Sequence, residues 1–375
     1  MSVATYRIVF YNYSYLTQLL LFFLFMVGAK DILKNVLKSS INVQKLLYIN
    51  ILWLTSLALY SLLIQGNEPS LVMRFYFIIN LMIAAFFFPV SKKILHIFIL
   101  IIAIHALYII GFEYNMMAHY NASNYGEVRF YINSIGIGDV YTYDEVFWRI
   151  QLAGNHLLPL ALFISIVTYR NKKRLFLIAI FLMASIFSGH FAFLIAIFFF
   201  FTFYYIINSR KSYKNIIKFL LSFFMIGIFF GSSIADYVSH TIERKSNSPI
   251  STRMDQTNIL MNDLSEKNIF LGSGLGNTIE EVTLNRDYRG MIYYELQSLY
   301  FLNQVGFIYF IYFIFLNIFL FILKMKDKNI YLIYLSFLLY ALTNPYTFDS
   351  VHIVIIIVLL SLKKNLQTEG FNDKQ

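Results

Sequence analysis

The sequence predicts an all-α polytopic membrane protein of about eleven (ten to twelve) transmembrane helices, with a large external loop bearing short surface helices. Three observations carry this prediction. Of 375 residues, 59% are apolar, 19% aromatic and only 13% charged, with a mean hydropathy of +0.64. That composition excludes a soluble enzyme with a simple anchor and makes residues 1–375 a single transmembrane domain. Apolar runs of roughly 18 residues recur along the chain, the length that crosses a hydrocarbon core about 30 Å thick. Lipid-facing backbone must satisfy its own hydrogen bonds, and alternating barrel-type segments are absent, so the spans are helices. The charge is also segregated: residues 235–296 hold nine acids and six bases between Phe/Ile/Leu-rich flanks.

In order, the spans fall at 13–29, 45–65, 73–90, 94–112, 151–169, 175–188, 190–207, 216–235, 298–323, 330–344 and 350–362. The first run ends in a Lys-containing segment without a small-x-small pattern, which argues against a cleaved signal peptide. The connections alternate in charge. One set (around Lys30–Lys45, Lys92/Lys93, Arg170–Arg174, Arg210–Lys218, Lys324–Lys328 and Lys363–Lys374) has twenty bases against four acids, the other ten against sixteen. Positive loops stay cytoplasmic, which places the C-terminus in the cytoplasm and the N-terminus and loops 113–150 and 235–296 outside. The net charge of +10 is therefore a topology signal rather than a nucleic-acid footprint. Ser188-Gly189-His190 makes a tight external hairpin, and no repeat or pair of Gly/Pro-broken helices is visible. With no cysteine, disulfides, thiol catalysis and zinc–thiolate sites are excluded. No His/Asp/Glu cluster has metal-ligand spacing, so neither metal nor cofactor is expected.

Chemistry is expected in the large loop. Ser251 and Asp255 mark the start of a helix over 252–264, whose rough apolar face is Met254, Ile259, Leu260 and Leu264. It lies on the membrane surface and presents Arg253 towards the bundle. Gly272-Ser273-Gly274-Leu275-Gly276 lacks the Lys-Ser/Thr of a phosphate-binding loop and reads as a turn. Arg253, Arg286 and Arg289 offer planar forks matched to phosphate oxygens; they can equally pair with Asp255, Asp287 or Glu281. Glu295, at the membrane boundary, is a candidate base through partial desolvation, or else a helix-end acid favoured by the dipole. Loop 113–150 interleaves tyrosines and Trp148 with polar groups, which suits sugar rings or an interfacial aromatic belt. Arg129 and Arg149 add phosphate-binding options. Asn155 and His156, at the start of the fifth span, face the site or the headgroups. His190 and His352 lie near external ends and can reach a common site. His105 reads as a bundle-facing hydrogen-bonder.

The phrase Asn268-Ile269-Phe270-Leu271-Gly272-Ser273-Gly274-Leu275-Gly276, after an Arg-led helix and before Glu295-x10-Gly306, resembles the O-antigen polymerase/O-antigen ligase superfamily. Its polymerase (Wzy) branch is the closer match. The residue-level likeness covers about 235–306; elsewhere the topology carries it. The ligase branch has His where this chain has Glu295. The Arg of a Ser-Gly-Ser-Arg-Gly-like turn is replaced in Ser188-Gly189-His190-Phe191-Ala192, so that cation is either missing or supplied by another loop.

The resemblance implies a multi-pass protein of the bacterial cytoplasmic (inner) membrane. It implies that a glycan on undecaprenyl diphosphate is transferred to a new lipid-linked repeat unit, with no metal or nucleotide sugar, in O-antigen, lipopolysaccharide or related surface-polysaccharide biosynthesis. The partners it implies are the lipid-linked donor and acceptor, the bilayer, a chain-length regulator and a flippase. In this reading Glu295 and Arg253 are catalytic, and Arg286, Arg289, Arg129, Arg149, Asn155, His156 and His190 bind substrate. A ligase acting on a final acceptor and a lipid-linked sugar flippase are the rivals. The charge alternation makes a direct prediction: a reporter fused after Arg174 or Lys218 reports from the cytoplasm, and one within 240–290 from outside. Cytoplasmic labelling of 240–290 overturns the site assignment.

Overall fold

The computed structural model describes residues 14–120, 125–134, 138–143, 147–152, 154–208, 249–283, 286–292, 294–341, 344 and 346–372. Helices α1 (Ser14–Leu37), α2 (Ile41–Leu63), α3 (Pro69–Ala85) and α4 (Lys92–His119) open the bundle. A short α5 (Tyr125–Ser134) and a hairpin of β1 (Gly138–Tyr143) and β2 (Phe147–Leu152) follow. A 3-10 turn (Asn155–Leu157) leads into α6 (Leu158–Thr168), then α7 (Asn171–Phe187) and α8 (Phe191–Asn208). After the expected span 216–235, which lies outside the described residues, come α9 (Pro249–Glu266), α10 (Gln297–Met325), α11 (Lys328–Ala341) and α12 (Ser350–Asn372).

Apart from the hairpin, this is the all-α, multi-pass architecture expected. Among the described residues, five helices are long and apolar enough to cross a membrane (α2, α4, α8, α10 and most of α12), and α3 and the 155–168 segment are shorter apolar helices. Their exposed residues are themselves apolar: Leu63, Ile101, Phe191 and Ile311 all stand on the outside of the bundle. In water such a surface marks an interaction face; on a membrane protein it is the lipid contact.

At the centre stands α6. Nearly every residue from Leu158 to Thr168 is buried, enclosed by α4, α7, α8, α11 and α12. A helix apolar all round belongs in a core. It is also short. Its 11 residues rise about 16 Å, so the span expected at 151–169 is cut back: residues 151–152 belong to β2 and the chain turns before the helix begins.

The region expected as loop 113–150 is largely ordered structure. α4 runs to His119, and its 28 residues extend about 42 Å, beyond the hydrocarbon core. The hairpin pairs Val140 with Ile150, Tyr141 with Arg149 and Thr142 with Trp148. Strand alternation buries Val140, Ile150 and Trp148 and turns Tyr141 and Arg149 to the other face. Trp148 is thus a core residue, neither sugar platform nor belt. Its backbone N–H donates to the buried Glu113 carboxylate at 2.8 Å.

The apolar pattern of α10 gives no sign that the helix is interrupted. It is broken at Gly306 (φ 71°, ψ 170°), and the backbone of 268–274 docks into the break. Ser273 N–H donates to Asn303 O (2.7 Å), Gly274 N–H to Gln304 O (3.0 Å), and Phe307 N–H to Ile269 O (3.0 Å). A Cβ on Gly306 would collide with Phe270 O and Gly272 N, and one on Gly272 with Gly306 N. Both glycines have positive φ, where a side chain is strained by about 1–3 kcal/mol before any collision.

Gly306→Ala and Gly272→Ala are therefore expected to abolish the monodisperse, folded protein in detergent. Gly111→Ala, which meets nothing within 4 Å on the outside of α4, should leave the melting temperature equal or slightly higher. A normal melt for Gly306→Ala would show that the docking is dispensable.

Candidate functional site

The break in α10 organises the polar face of the molecule. Beside it, the Asp263 carboxylate on α9 accepts from Ser273 Oγ (2.6 Å), Asn277 Nδ2 (2.9 Å) and Asn303 Nδ2 (2.8 Å) and pairs with Lys267 at 3.1 Å. Its side chain is 16% exposed. Burial alone would push this carboxyl up; donation from Ser273, Asn303 and Lys267 outweighs that and holds it below its ordinary value. From the other side, the α2–α3 turn grips the glycine segment. Asn67 Nδ2 donates to Ser273 O (3.1 Å) and Leu275 O (2.9 Å), and Leu275 N–H donates to Ser61 Oγ (2.7 Å).

Those bonds settle what the glycine cluster does. Gly272 N–H goes to Asn268 O, Gly274 N–H to Gln304 O and Gly276 N–H to Gln304 Oε1. Each of these three glycine amides is engaged within the protein, so the segment is no phosphate cradle. It is a docking element rather than a simple turn.

Helix α9 spans the region where a surface helix is expected. Its inner stripe is Gln256, Ile259, Leu260 and Leu264, while Met254 faces out, contrary to expectation. Ile259 and Leu260 cluster with Tyr288, Tyr294 and Tyr300, of which Tyr288 and Tyr294 stack at 5.9 Å. Arg253 lies one turn ahead of Gln256 on the same stripe (i, i+3). Gln256 Oε1 accepts from Leu296 N–H at 3.2 Å, which holds the residue after Glu295 against α9.

The outcome is that Arg253 Nε meets Glu295 Oε2 at 3.1 Å, with the side chains 45% and 39% exposed. Two residues 42 apart in sequence are brought together at the N-terminal end of α10. Both side chains of the pair are therefore half-exposed on the protein. Arg286 stands 6.0 Å over the Tyr288 ring. Arg289 pairs with Asp287 at 2.6 Å, and its hydrogen bonds pull that carboxyl down to about 2; Arg289 is committed within its own turn.

The remaining candidates form a second cluster around the hairpin. Arg129 makes a two-pronged bond to Asp139 (2.8 and 2.9 Å) and donates to Tyr141 Oη (2.6 Å), so it is a structural clamp on β1. Arg149 Nη2 lies 3.5 Å from His190 Nδ1, joining β2 to the α7–α8 hairpin. Asn155 is buried, bonded to His105 Nε2 (3.0 Å) and Ile150 O (2.7 Å), and faces neither site nor headgroups. His105 is indeed a bundle-facing hydrogen-bonder. His156 stacks on Tyr346 at 4.6 Å. His352 is buried, with Nε2 on Tyr334 Oη (2.8 Å) and Nδ1 on Thr347 O (2.7 Å), and so does not share an external site with His190.

A short loop connects the two clusters. Gln297 Nε2 donates to Phe348 O at 3.4 Å, Phe348 stacks on Phe301 at 4.3 Å, and Tyr346 covers His156. Sequence reasoning missed Asp263, Asn277, Asn303, Gln304, Ser61 and Asn67. The available signal was Asn303-Gln304 ahead of Gly306 in an apolar helix, where polar side chains are costly unless paired. No protein-family model, curated protein or solved structure matches this chain.

A depressed folded-state pKa means that Asp263 stabilises the fold above its unfolded value of about 3.9. That contribution is lost as pH falls through the folded pKa. Asp263→Asn leaves its donors short of an acceptor and is expected to cost roughly 1–3 kcal/mol at pH 7, the scale for hydrogen-bonding groups left unsatisfied. The gap in melting temperature between variant and wild type should narrow as the pH drops below about 4. A gap independent of pH would remove ionised Asp263 from the stabilising network.

Proposed function

We propose that this chain is a metal-independent glycosyltransferase that polymerises polyprenyl-diphosphate-linked repeat units at the outer face of a bacterial cytoplasmic membrane. The observation that carries the reading is the Arg253–Glu295 pair, 3.1 Å apart and half-exposed at the N-terminal end of α10. The eleven-span topology, with the basic loops and the C-terminus inside, belongs to the same proposal.

The reaction needs a base for an acceptor hydroxyl and a cation for the leaving diphosphate. The acceptor oxygen attacks the anomeric carbon of the donor glycan, and the carbon–oxygen bond to the diphosphate breaks. The hydroxyl proton passes to Glu295, and the electron pair leaves with the diphosphate, facing Arg253 and Arg286. Charge on the leaving group draws Arg253 away from Glu295, so the resting ion pair holds both groups ready at one point. The second cluster, with Arg149, His190 and His156, borders the sugar-binding surface in this reading.

Two rivals are less well supported. A ligase is expected to carry His at position 295. A transporter is expected to break its helices at mid-bilayer. Here residues 307–325, beyond the break, rise about 28 Å as a helix and are long enough to cross the hydrocarbon core by themselves, leaving Gly306 at the boundary.

The pair is exposed, so its loss should barely touch stability, by about 0–1 kcal/mol. Glu295→Gln should therefore insert normally and lower elongation by roughly 100- to 10,000-fold, leaving single-repeat product from purified lipid-linked substrate. Glu295→Asp should be impaired by its shorter reach. Arg253→Ala should abolish polymer, and Arg253→Lys should restore little because the planar fork is lost. Long chains made at the wild-type rate by folded Glu295→Gln would exclude it as the base. A strain lacking the protein should lose its polymer ladder; polymer accumulating on undecaprenyl diphosphate instead identifies a ligase.

A further inference from the structure

At the far end of α10 from the Arg253–Glu295 pair, a cleft of about 210 Å³ opens between the α10–α11 turn and the end of α12. It is lined by Met325, Lys326, Asp327, Lys363, Leu366 and Gln367. Its lining combines apolar side chains, Met325 and Leu366, with two lysines, Lys326 and Lys363.

The charges here are unbalanced. Lys324 Nζ sits 4.3 Å over the Phe87 ring, and Lys363 Nζ donates to Lys324 O at 2.6 Å, which answers the carbonyl end of α10. Lys363 repels both Lys324 and Lys326. The acid lining the cleft, Asp327, accepts from Asn329 N–H (2.8 Å) and Ile330 N–H (3.1 Å) and so caps α11. Lys326 is exposed, with a left-handed backbone (φ 50°) that ends α10. Ser361 Oγ donates to Ser91 O at 2.6 Å, which brings the start of α4, with Lys92 and Lys93, to this same end.

Helical residues 307–325 are one membrane thickness long, so the cleft lies at headgroup depth in the opposite leaflet. We propose that it binds the phosphate diester of an anionic phospholipid, with Lys326 and Lys363 on the phosphate and Met325 and Leu366 against the first acyl segment. Lysine suits this role as a compact point charge on an apolar stem. Basic pockets between membrane helices on the cytoplasmic side are a recurrent setting for anionic headgroups. A free phosphate would leave the apolar side chains unused. The proposal shares the inside placement of the basic loops with the proposed function but does not depend on the glycosyltransferase chemistry.

The test uses the full-length protein in nanodiscs of phosphatidylcholine with increasing phosphatidylglycerol, reading lipid retained after detergent extraction by native mass spectrometry. Wild type should retain phosphatidylglycerol over phosphatidylcholine. Lys326→Gln should weaken that preference about fivefold, the scale for one basic residue at a charged surface, and the double variant with Lys363→Gln should weaken it further. Lys30→Gln, on α1, should change nothing. Because Lys363 also caps α10, the decisive variant is Lys326→Gln, which leaves that cap in place. Equal retention of both lipids, or an unchanged preference in Lys326→Gln, overturns the proposal. Displacement of the lipid by inorganic phosphate at equal concentration assigns the cleft to free phosphate and overturns the lipid assignment.

Discussion

The polar half of this protein depends on one constraint: the backbone of residues 268–274 occupies the gap that Gly306 opens in α10. A helix interrupted within a membrane protein leaves backbone donors and acceptors that must find partners. Here they find them in the glycine segment, and the approach is close enough that neither Gly272 nor Gly306 tolerates a Cβ. Asp263 then ties α9 to the same point through Ser273, Asn277 and Asn303. A carboxylate largely withdrawn from water is stable only when its acceptor capacity is filled, and three neutral donors and Lys267 fill it. The knot joins the consecutive pair α2 and α3 to the consecutive pair α9 and α10, which are distant from each other along the chain.

The contrast between Asp263 and Glu295 separates structure from candidate chemistry. Both are acids near the N-terminal end of α10. Asp263 is enclosed and saturated with donors, so its negative charge serves to hold elements together. Glu295 meets Arg253 through an Nε–Oε2 contact, and both side chains remain open to the surroundings. An exposed ion pair contributes little to stability, and a pair that parts easily is one that a substrate can part. The same contrast sorts the other arginines: Arg129 and Arg289 are held in two-pronged bonds to neighbouring carboxylates, while Arg149 reaches the His190 ring nitrogen and lies 5.5 Å from the centre of the Tyr141 ring.

The hairpin region is built on burial rather than on charge. Trp148, Val140 and Ile150 form its inner face, and Glu113 at the extended end of α4 receives the Trp148 amide. Asn155 and His105 join this face to α4 and α6. Tyr346 and Phe348, which stack on His156 and Phe301, join it to α10. The two clusters of polar residues are therefore coupled by packing through the loop that precedes α12.

The sequence by itself determined the class of the fold and where its polar face lies. Long apolar runs are legible without a structure because the bilayer imposes their length, and the helix of α9 is legible from Ile259, Leu260 and Leu264, although it begins at Pro249, ahead of the Ser251 cap the sequence suggests. Arg253 and Glu295 stood out as single residues of suitable chemistry in the polar loop. Only the tertiary structure decided that they meet, since a sequence separation of 42 leaves their distance in space open. It also decided that Arg129 and Arg289 serve as clamps on nearby carboxylates and that Asn155 ties β2 to His105 of α4, fifty residues away in sequence. The glycine segment shows the limit most clearly. Its residues announce unusual backbone, but the partner that requires it, the broken turn at Gly306, lies some thirty residues on and is visible only when the two backbones are in contact.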